Sequence, residues 1–177
     1  IKVVGEQQAI ALAATTETAA FDLGVSLAEA TLGMKAPETL EELRQAAQST
    51  PVQRIVNKIL RDAIDQKATA ISITSEASIE GWEVQFRKDG AYKPYAPVHA
   101  TIVPAIIARL KIMAGFEVNK LPEYPEVAVN IRTHGYVYRC GFTIYRHGGA
   151  EEAVVMIERL ADEVIWDVDR ENDPRST

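Results

Sequence analysis

The stretch that most limits the fold of this chain is TPVQRIVNKILRDAID, residues 50–65. Its apolar residues recur every three or four positions, as on one face of a helix, and most of its charged residues fall on the opposite face. Thr50, Pro51 and Gln53 have the form of a capping box with proline in the first helical turn. The sequence therefore predicts an amphipathic helix of about four turns that buries one face against another layer.

Strand patterns and a second helix follow this segment. GWEVQFRK alternates apolar and polar residues, and Asp89-Gly90 is a hairpin turn leading into AYKPYA. The apolar pattern of residues 98–114 predicts a buried helix, in which Pro104 is tolerated only near the first turn. Gly115, just past the last helical residue, is expected to end it. VAVNIR and YVYRCGFTIY are further strands, whereas EEAVVMIERL fits a strand or a helix. This order predicts the α+β class, an antiparallel sheet with helices packed on one face.

The first 49 residues have a different pattern. IKVVGEQQAIALAA predicts two short strands around a polar turn, and the alanine-rich stretch that follows predicts a helix up to Gly33. PETLEELRQAAQ predicts a helix with Pro37 in its first turn. The expected organisation is thus a small helical and hairpin segment at 1–49, a main domain at 50–160 and a polar tail at 161–177.

Composition excludes several classes of partner. The 177 residues carry a formal net charge of −6 and no run of five or six basic residues, which argues against binding to nucleic acid or to an anionic membrane surface. Cys140 is the single cysteine, so an intramolecular disulfide is excluded, and its strand-like surroundings predict a buried, inert thiol. No apolar stretch is long enough to cross a bilayer, and no secretory signal is present. We expect a cytoplasmic location without direct membrane insertion.

Motifs for catalysis and metal binding are missing from these residues. No glycine is followed directly by lysine, so the phosphate-binding pattern GxxxxGK[ST] does not occur, and there is no GxSxG. His99, His134 and His147 lack metal-ligand spacing, and Glu151 and Glu152 are interpreted with the acidic tail as a solvated end. We predict no catalytic residue, metal or cofactor in this chain.

Four motifs occur in a characteristic order: PVQRIVNKILRDAIDQKATAISI, VQFRKDG, IIARLKIMAGFEVNKLP, and VYRCGFTIYRHGG followed by AVVMIERL. Over residues 50–160 the chain resembles the second N-terminal domain of the hexameric ATPases that power type II secretion and type IV pilus assembly. The resemblance implies a PAS-like sheet-and-helix fold. In the family, this domain precedes a P-loop motor domain.

Departures from the family pattern concern its nucleotide contacts. Two family arginines reach the nucleotide bound to the motor domain; by resemblance, one is retained as Arg139, whereas Glu126 stands in the place of the other. Ala70-Ile71-Ser72 also replaces the usual Asp-Ile-His. Exchanging a cation for a carboxylate at about 4 Å from a phosphate turns roughly 4 kcal/mol of attraction into repulsion at an effective dielectric constant near 20. The resemblance therefore predicts a degenerate copy that does not support nucleotide as the family does.

The resulting hypothesis is a non-catalytic protein-interaction module of a type II secretion or type IV pilus-like machine. Expected partners are a motor ATPase or an inner-membrane component, through which the chain would lie near the inner membrane, and self-association is left open. Trp166, Tyr92 and Tyr95 are candidate contact residues because aromatic side chains concentrate at interfaces. Two alternatives remain: an N-terminal coupling fragment of a full ATPase whose P-loop domain lies outside this chain, and a PAS-like small-molecule sensor.

Overall fold

A computed structural model describes residues 2–3, 10–11, 33–74, 82–122 and 126–160. The helices in these ranges are α1 (Leu40–Gln48), α2 (Thr50–Asp65) and α3 (Val103–Met113). The strands are β1 (Lys2–Val3), β2 (Ile10–Ala11), β3 (Ala70–Thr74), β4 (Trp82–Lys88), β5 (Ala91–Val98), β6 (Val127–Thr133), β7 (Tyr136–His147) and β8 (Ala150–Arg159). No helix in the described ranges is long and apolar enough to span a membrane.

The strands form one sheet in the order β1-β6-β7-β8-β3-β4-β5. All pairings from β6 through to β5 are antiparallel, and the helices pack on one face, which confirms the α+β prediction. EEAVVMIERL is strand β8, between β7 and β3. Its period is ambiguous because Ala153 and Val155 are buried against the helices while Val154 and Met156 are partly buried on the other face.

At the edge of the sheet next to β6, β1 and β2 do not form the predicted N-terminal hairpin. β1 and β2 do not pair with each other; each makes a two-residue parallel pairing with β6, β1 at Val127–Ala128 and β2 at Ile131–Arg132. Two segments that lie at successive positions along one strand cannot form a hairpin together. The helix predicted up to Gly33 lies almost wholly outside the described residues.

Helix α2 is amphipathic as predicted, but its capping differs. Ser49 is the N-cap and makes no side-chain capping bond, while Gln53 donates from Nε2 to the Gln48 carbonyl at 2.6 Å instead of forming a box with Thr50. The buried face consists of Val52, Ile55, Val56, Ile59, Leu60, Ala63 and Ile64.

A complete capping box starts α1. The hydroxyl of Thr39 accepts from the Glu42 backbone N–H at 3.1 Å, and the Glu42 carboxylate accepts from the Thr39 N–H at 3.3 Å. The helix therefore begins at Leu40, not at Pro37 as the sequence suggested. The pattern Thr-x-x-Glu was the signal that sequence reasoning passed over.

Helix α3 begins at Val103, later than predicted, because β5 continues to Val98 and a turn precedes the helix. Pro104 falls in the first turn, where its missing N–H costs nothing. At the other end Gly115 has φ +74°, its N–H bonds to Ile112 O at 3.1 Å, and the next N–H bonds to Lys111 O at 2.8 Å. This is a Schellman motif, and it confirms the helix end predicted at Gly115.

The core lies between the helices and one face of the sheet. Its largest apolar members are Phe86 of β4, Phe142 of β7 and a set of isoleucines from both layers, all nearly without exposed surface. Helix α1 packs beside α3 through Ala47, Ala108 and Val118.

Candidate functional site

Both positions derived from the resemblance lie on the sheet face that points away from the helices. Arg139 is in β7, with Asn130 of β6 and Glu158 of β8 directly across the strands. Because Cys140 and Phe142 are buried in the core, the residues that alternate with them face the other way. Arg139 is partly buried there.

Glu126 lies immediately before β6 and folds over the neighbouring strand. A Cβ added at Gly141 would stand 2.7 Å from its Oε1 and 3.0 Å from its Cδ, so the carboxylate occupies the space that a side chain would need. Gly141 is two residues from Arg139, about 6.6 Å along the strand and on the same face. The structure thus brings Glu126 and Arg139 together, although no ion pair between these two residues is formed.

The charges around Arg139 on this face are mixed. Two carboxylates lie near its guanidinium, those of Glu126 and the exposed Glu158, and the exposed Arg132, opposite Val137, adds a second guanidinium to the same face. The position that the resemblance assigns to a cation is the one that carries the Glu126 carboxylate.

Tyr95 has a structural environment. Its ring stacks on Phe86 with centroids 4.1 Å apart and planes 13° apart, and its hydroxyl donates to the carboxylate of Asp62 on α2. Burial, together with that hydrogen bond, raises the pKa of Tyr95. Asp62 also pairs with Lys58 at 3.0 Å. These contacts tie β5 to α2, and a role for Tyr95 in an interface stays a prediction.

The other two aromatic candidates differ in what the structure says of them. Tyr92 lies on β5 at the edge of the sheet and is 42% exposed, so its ring is available to a partner. Trp166 lies outside the described residues. Both remain predicted contact residues.

Sequence reasoning missed Lys111, a lysine with 0% of its surface exposed. Its ammonium donates to the carbonyls of Val118 at 3.0 Å and Lys120 at 2.9 Å, and it pairs with both carboxylate oxygens of Glu151 at 2.7 Å. A buried cation is tolerated only when its donors are all satisfied in this way. The sequence signal that could have indicated this site is a lysine that directly follows an apolar position of α3 close to the end of the helix. The backbone carbonyls of the following loop lie within its reach there.

The interpretation of Glu151 and Glu152 as a solvated acidic end was wrong. The Glu151 side chain is 25% exposed and is held by Lys111, with Arg146 at 3.7 Å. Glu152, on the other face of β8, is 2% exposed and lies 3.6 Å from His147 Nδ1. Strand β8 carries these carboxylates into the fold, whereas the sequence interpretation had grouped them with the acidic tail.

Cys140 is a buried free thiol, as predicted. It has no exposed surface, and burial raises its pKa to about 12. Because the thiolate is the reactive form, this cysteine has no nucleophilic character near neutral pH. Within the described ranges, no group of three or more His, Cys, Asp or Glu side chains could hold a metal ion.

Comparison with known proteins identifies the family. Residues 45–160 match the model of the Type II/IV secretion system protein family, which is well over half of the chain, and the chain belongs to that family.

Relatives come from secretion and pilus systems. The chain is 29% identical to type II secretion system protein E of Pseudomonas aeruginosa over 114 residues, 63% of this chain and 22% of that protein. It is 32% identical to the type IV pilus assembly ATPase PilB of Myxococcus xanthus over 96 residues, 53% of this chain and 17% of that protein. With type II secretion system protein E of Xanthomonas campestris the identity is 30% over 127 residues, 71% of this chain and 21% of that protein. The chain spans about a fifth of the length of these relatives.

Proposed function

We propose that this chain is a non-catalytic protein-interaction module of a type II secretion or type IV pilus machine. Membership of the family supports the setting. The observation that carries the non-catalytic part is the Glu126 carboxylate lying over Gly141, on the face that also presents Arg139. A family cation is replaced there by an anion, while the sheet and its core are retained.

The proposed partner is a motor ATPase or an inner-membrane component of the same machine. Two of the matched relatives are named as type II secretion proteins, and a third as a pilus assembly ATPase, which supports this choice of system. A well-packed domain that carries a carboxylate where the resemblance expects a phosphate-facing cation fits a role in contact with protein.

Calorimetric titration with ATP and Mg²⁺ tests the loss of nucleotide binding. We expect no heat from the unmodified chain. Glu126→Arg exchanges the carboxylate at this position for a guanidinium and tests whether charge alone restores binding, with Glu126→Gln as the neutral control. Binding by the unmodified chain would contradict the proposal, because Arg139 would then still serve nucleotide.

Direct binding to the motor ATPase encoded in the same genome tests the interaction. The immobilised chain should bind the purified ATPase in the presence and absence of nucleotide. A chain that binds neither the ATPase nor the inner-membrane proteins of the same machine would remove the basis for the module.

A second candidate is the N-terminal coupling fragment of a full ATPase. The observation that favours it is the coverage, since the relatives extend far beyond the matched region. Sequencing the complete open reading frame decides the matter: a GxxxxGK[ST] motif downstream of residue 177 would assign this chain to a motor protein, and its absence would favour the independent module.

A further inference from the structure

An apolar groove of about 260 Å³ opens beside the helices, far from Arg139. We call it the α1–α3 groove. Its walls include Leu43 of α1, Pro104 and Ala108 of α3, Val118 of the following loop, and Ala150 and Glu151 at the start of β8. The volume is below that of typical small-molecule sites and suits a few aliphatic side chains. Leu40, one helical turn before Leu43, is exposed to 38% and extends the apolar surface.

The groove is held at a fixed width by a buried ion pair. Lys111 bonds the carbonyl of Val118 on one wall and the carboxylate of Glu151 on another. Since Lys111 is fully buried, these two walls cannot separate without exposing unpaired polar groups. A groove that is already formed binds a partner with less loss of conformational freedom.

The rim of the groove is positively charged. Lys111 compensates Glu151, while the Arg146 side chain next to Glu151 is 56% exposed. Arg44, beside Leu43 on α1, is also exposed. Three cations, Lys111, Arg146 and Arg44, stand against two carboxylates, those of Glu151 and of Glu41, which precedes Arg44 by three residues on the helix surface. The formal excess around the apolar floor is therefore +1.

The other acidic side chains nearby are already engaged. The carboxylate of Glu42 caps its own helix by accepting from the backbone N–H groups of Glu38 and Thr39. In the loop after α3, Glu117 is paired with Lys120 at 2.9 Å.

We propose that the α1–α3 groove docks an acidic helical segment of a protein partner, with aliphatic side chains in the groove and carboxylates against Arg44 and Arg146. This inference rests on the proposed function as an interaction module and specifies the chemistry of its partner. Apolar anchors supply the binding free energy, and the two arginines select an acidic sequence.

Fluorescence anisotropy with defined peptides tests this docking. The probe is a labelled peptide about four helical turns long, with leucines at i, i+3, i+4 and i+7 and otherwise alanine and glutamate. Two matched peptides replace the glutamates by lysine or the leucines by serine. We expect the acidic leucine peptide to bind at least about tenfold more tightly than either.

Two variants locate the binding. Pro104→Glu places a carboxylate in the groove, at a first-turn position where acidic residues favour the helix, so folding is retained. Arg146→Glu reverses a rim charge. Each substitution should lower the affinity for the acidic peptide by about tenfold. Lys93→Glu, on the distant strand β5, should leave that affinity unchanged.

Other outcomes overturn the assignment. Equal binding of the acidic and lysine peptides, or affinity unchanged by Pro104→Glu and Arg146→Glu, would remove it. Self-association of the unmodified chain that Pro104→Glu abolishes would assign the groove to a second copy instead.

The proposed function is tested separately by binding of the motor ATPase. If the Pro104→Glu variant binds the ATPase normally while the acidic peptide does not bind the unmodified chain, the docking proposal is refuted and the proposed function is retained. If the acidic peptide binds as expected but no component of the machine binds the chain, the docking proposal is retained and the proposed function is refuted.

Discussion

Lys111 carries a full positive charge in the interior of the fold. Its ammonium has three hydrogen-bonding partners, and one of these, Glu151, comes from a strand 40 residues away in sequence. Such a contact stabilises only as a complete set, because losing one partner leaves the others buried without a counterpart. The side chain therefore links the end of α3, the following loop and the start of β8.

Replacing Lys111 by methionine should lower the free energy of unfolding by about 3 kcal/mol, since Glu151 loses its cation. Lys120→Met is the matched control: its pair with Glu117 is about two-thirds exposed, and the expected change is below about 1 kcal/mol. Urea denaturation measures both. Equal effects would show that burial of Lys111 has no energetic consequence.

Burial of Cys140 predicts a pH-dependent stability. Below about pH 9 the thiol is protonated in the folded and the unfolded chain and contributes no pH dependence. Between about pH 9 and about pH 12 the unfolded chain loses this proton and the folded chain keeps it, so stability falls as pH rises. Cys140→Ala should flatten this part of the stability profile. Thiol labelling near pH 8 should be slow in the native protein and fast in urea.

At the scale of elements, the two possible capping boxes can be told apart. Thr39→Ala removes a reciprocal pair of bonds and should cost about 1 kcal/mol. Thr50→Ala should cost much less, because no capping bond from its side chain starts α2. Thermal unfolding of both variants measures the difference. A larger cost at Thr50 would restore the cap predicted from the sequence.

Local pattern predicted those elements whose determinants are local. The period of α2, the alternation of β4 and the Gly115 stop are properties of adjacent residues, and each is confirmed. Lys111 and Glu151 were missed because their relation depends on strand β8 returning to the end of α3. A charged residue in a helix is assigned to solvent by pattern alone, and only the fold shows that its partners lie inside.

The candidate site shows the same limit. The resemblance pointed to Glu126 and Arg139, and the sheet register brings them to one face, but nothing in the sequence indicated that the Glu126 carboxylate lies over Gly141. The apolar groove between α1 and α3 could not be predicted either, since its walls come from α1, α3, the loop after α3 and the start of β8.

At the scale of the whole molecule, the core is built by residues after the N-terminal segment. The buried cluster runs from Val52 to Val155, and its partly buried neighbours begin at Met34. β1 and β2 add only two register pairs each at the β6 edge. Residues 33–160 therefore hold both layers of the fold and the whole of the family match.

We expect a chain of residues 33–160 to fold on its own. Because both faces of the helix–sheet interface are then complete, its urea unfolding should be one cooperative transition, with a midpoint close to that of the full chain. Lys111→Met in the short chain provides the control, and should lower the midpoint as it does in the full chain. A broad transition, or a short chain already unfolded without urea, would mean that residues 1–32 or 161–177 complete the core, and the domain boundaries predicted from the sequence would have to be moved outward.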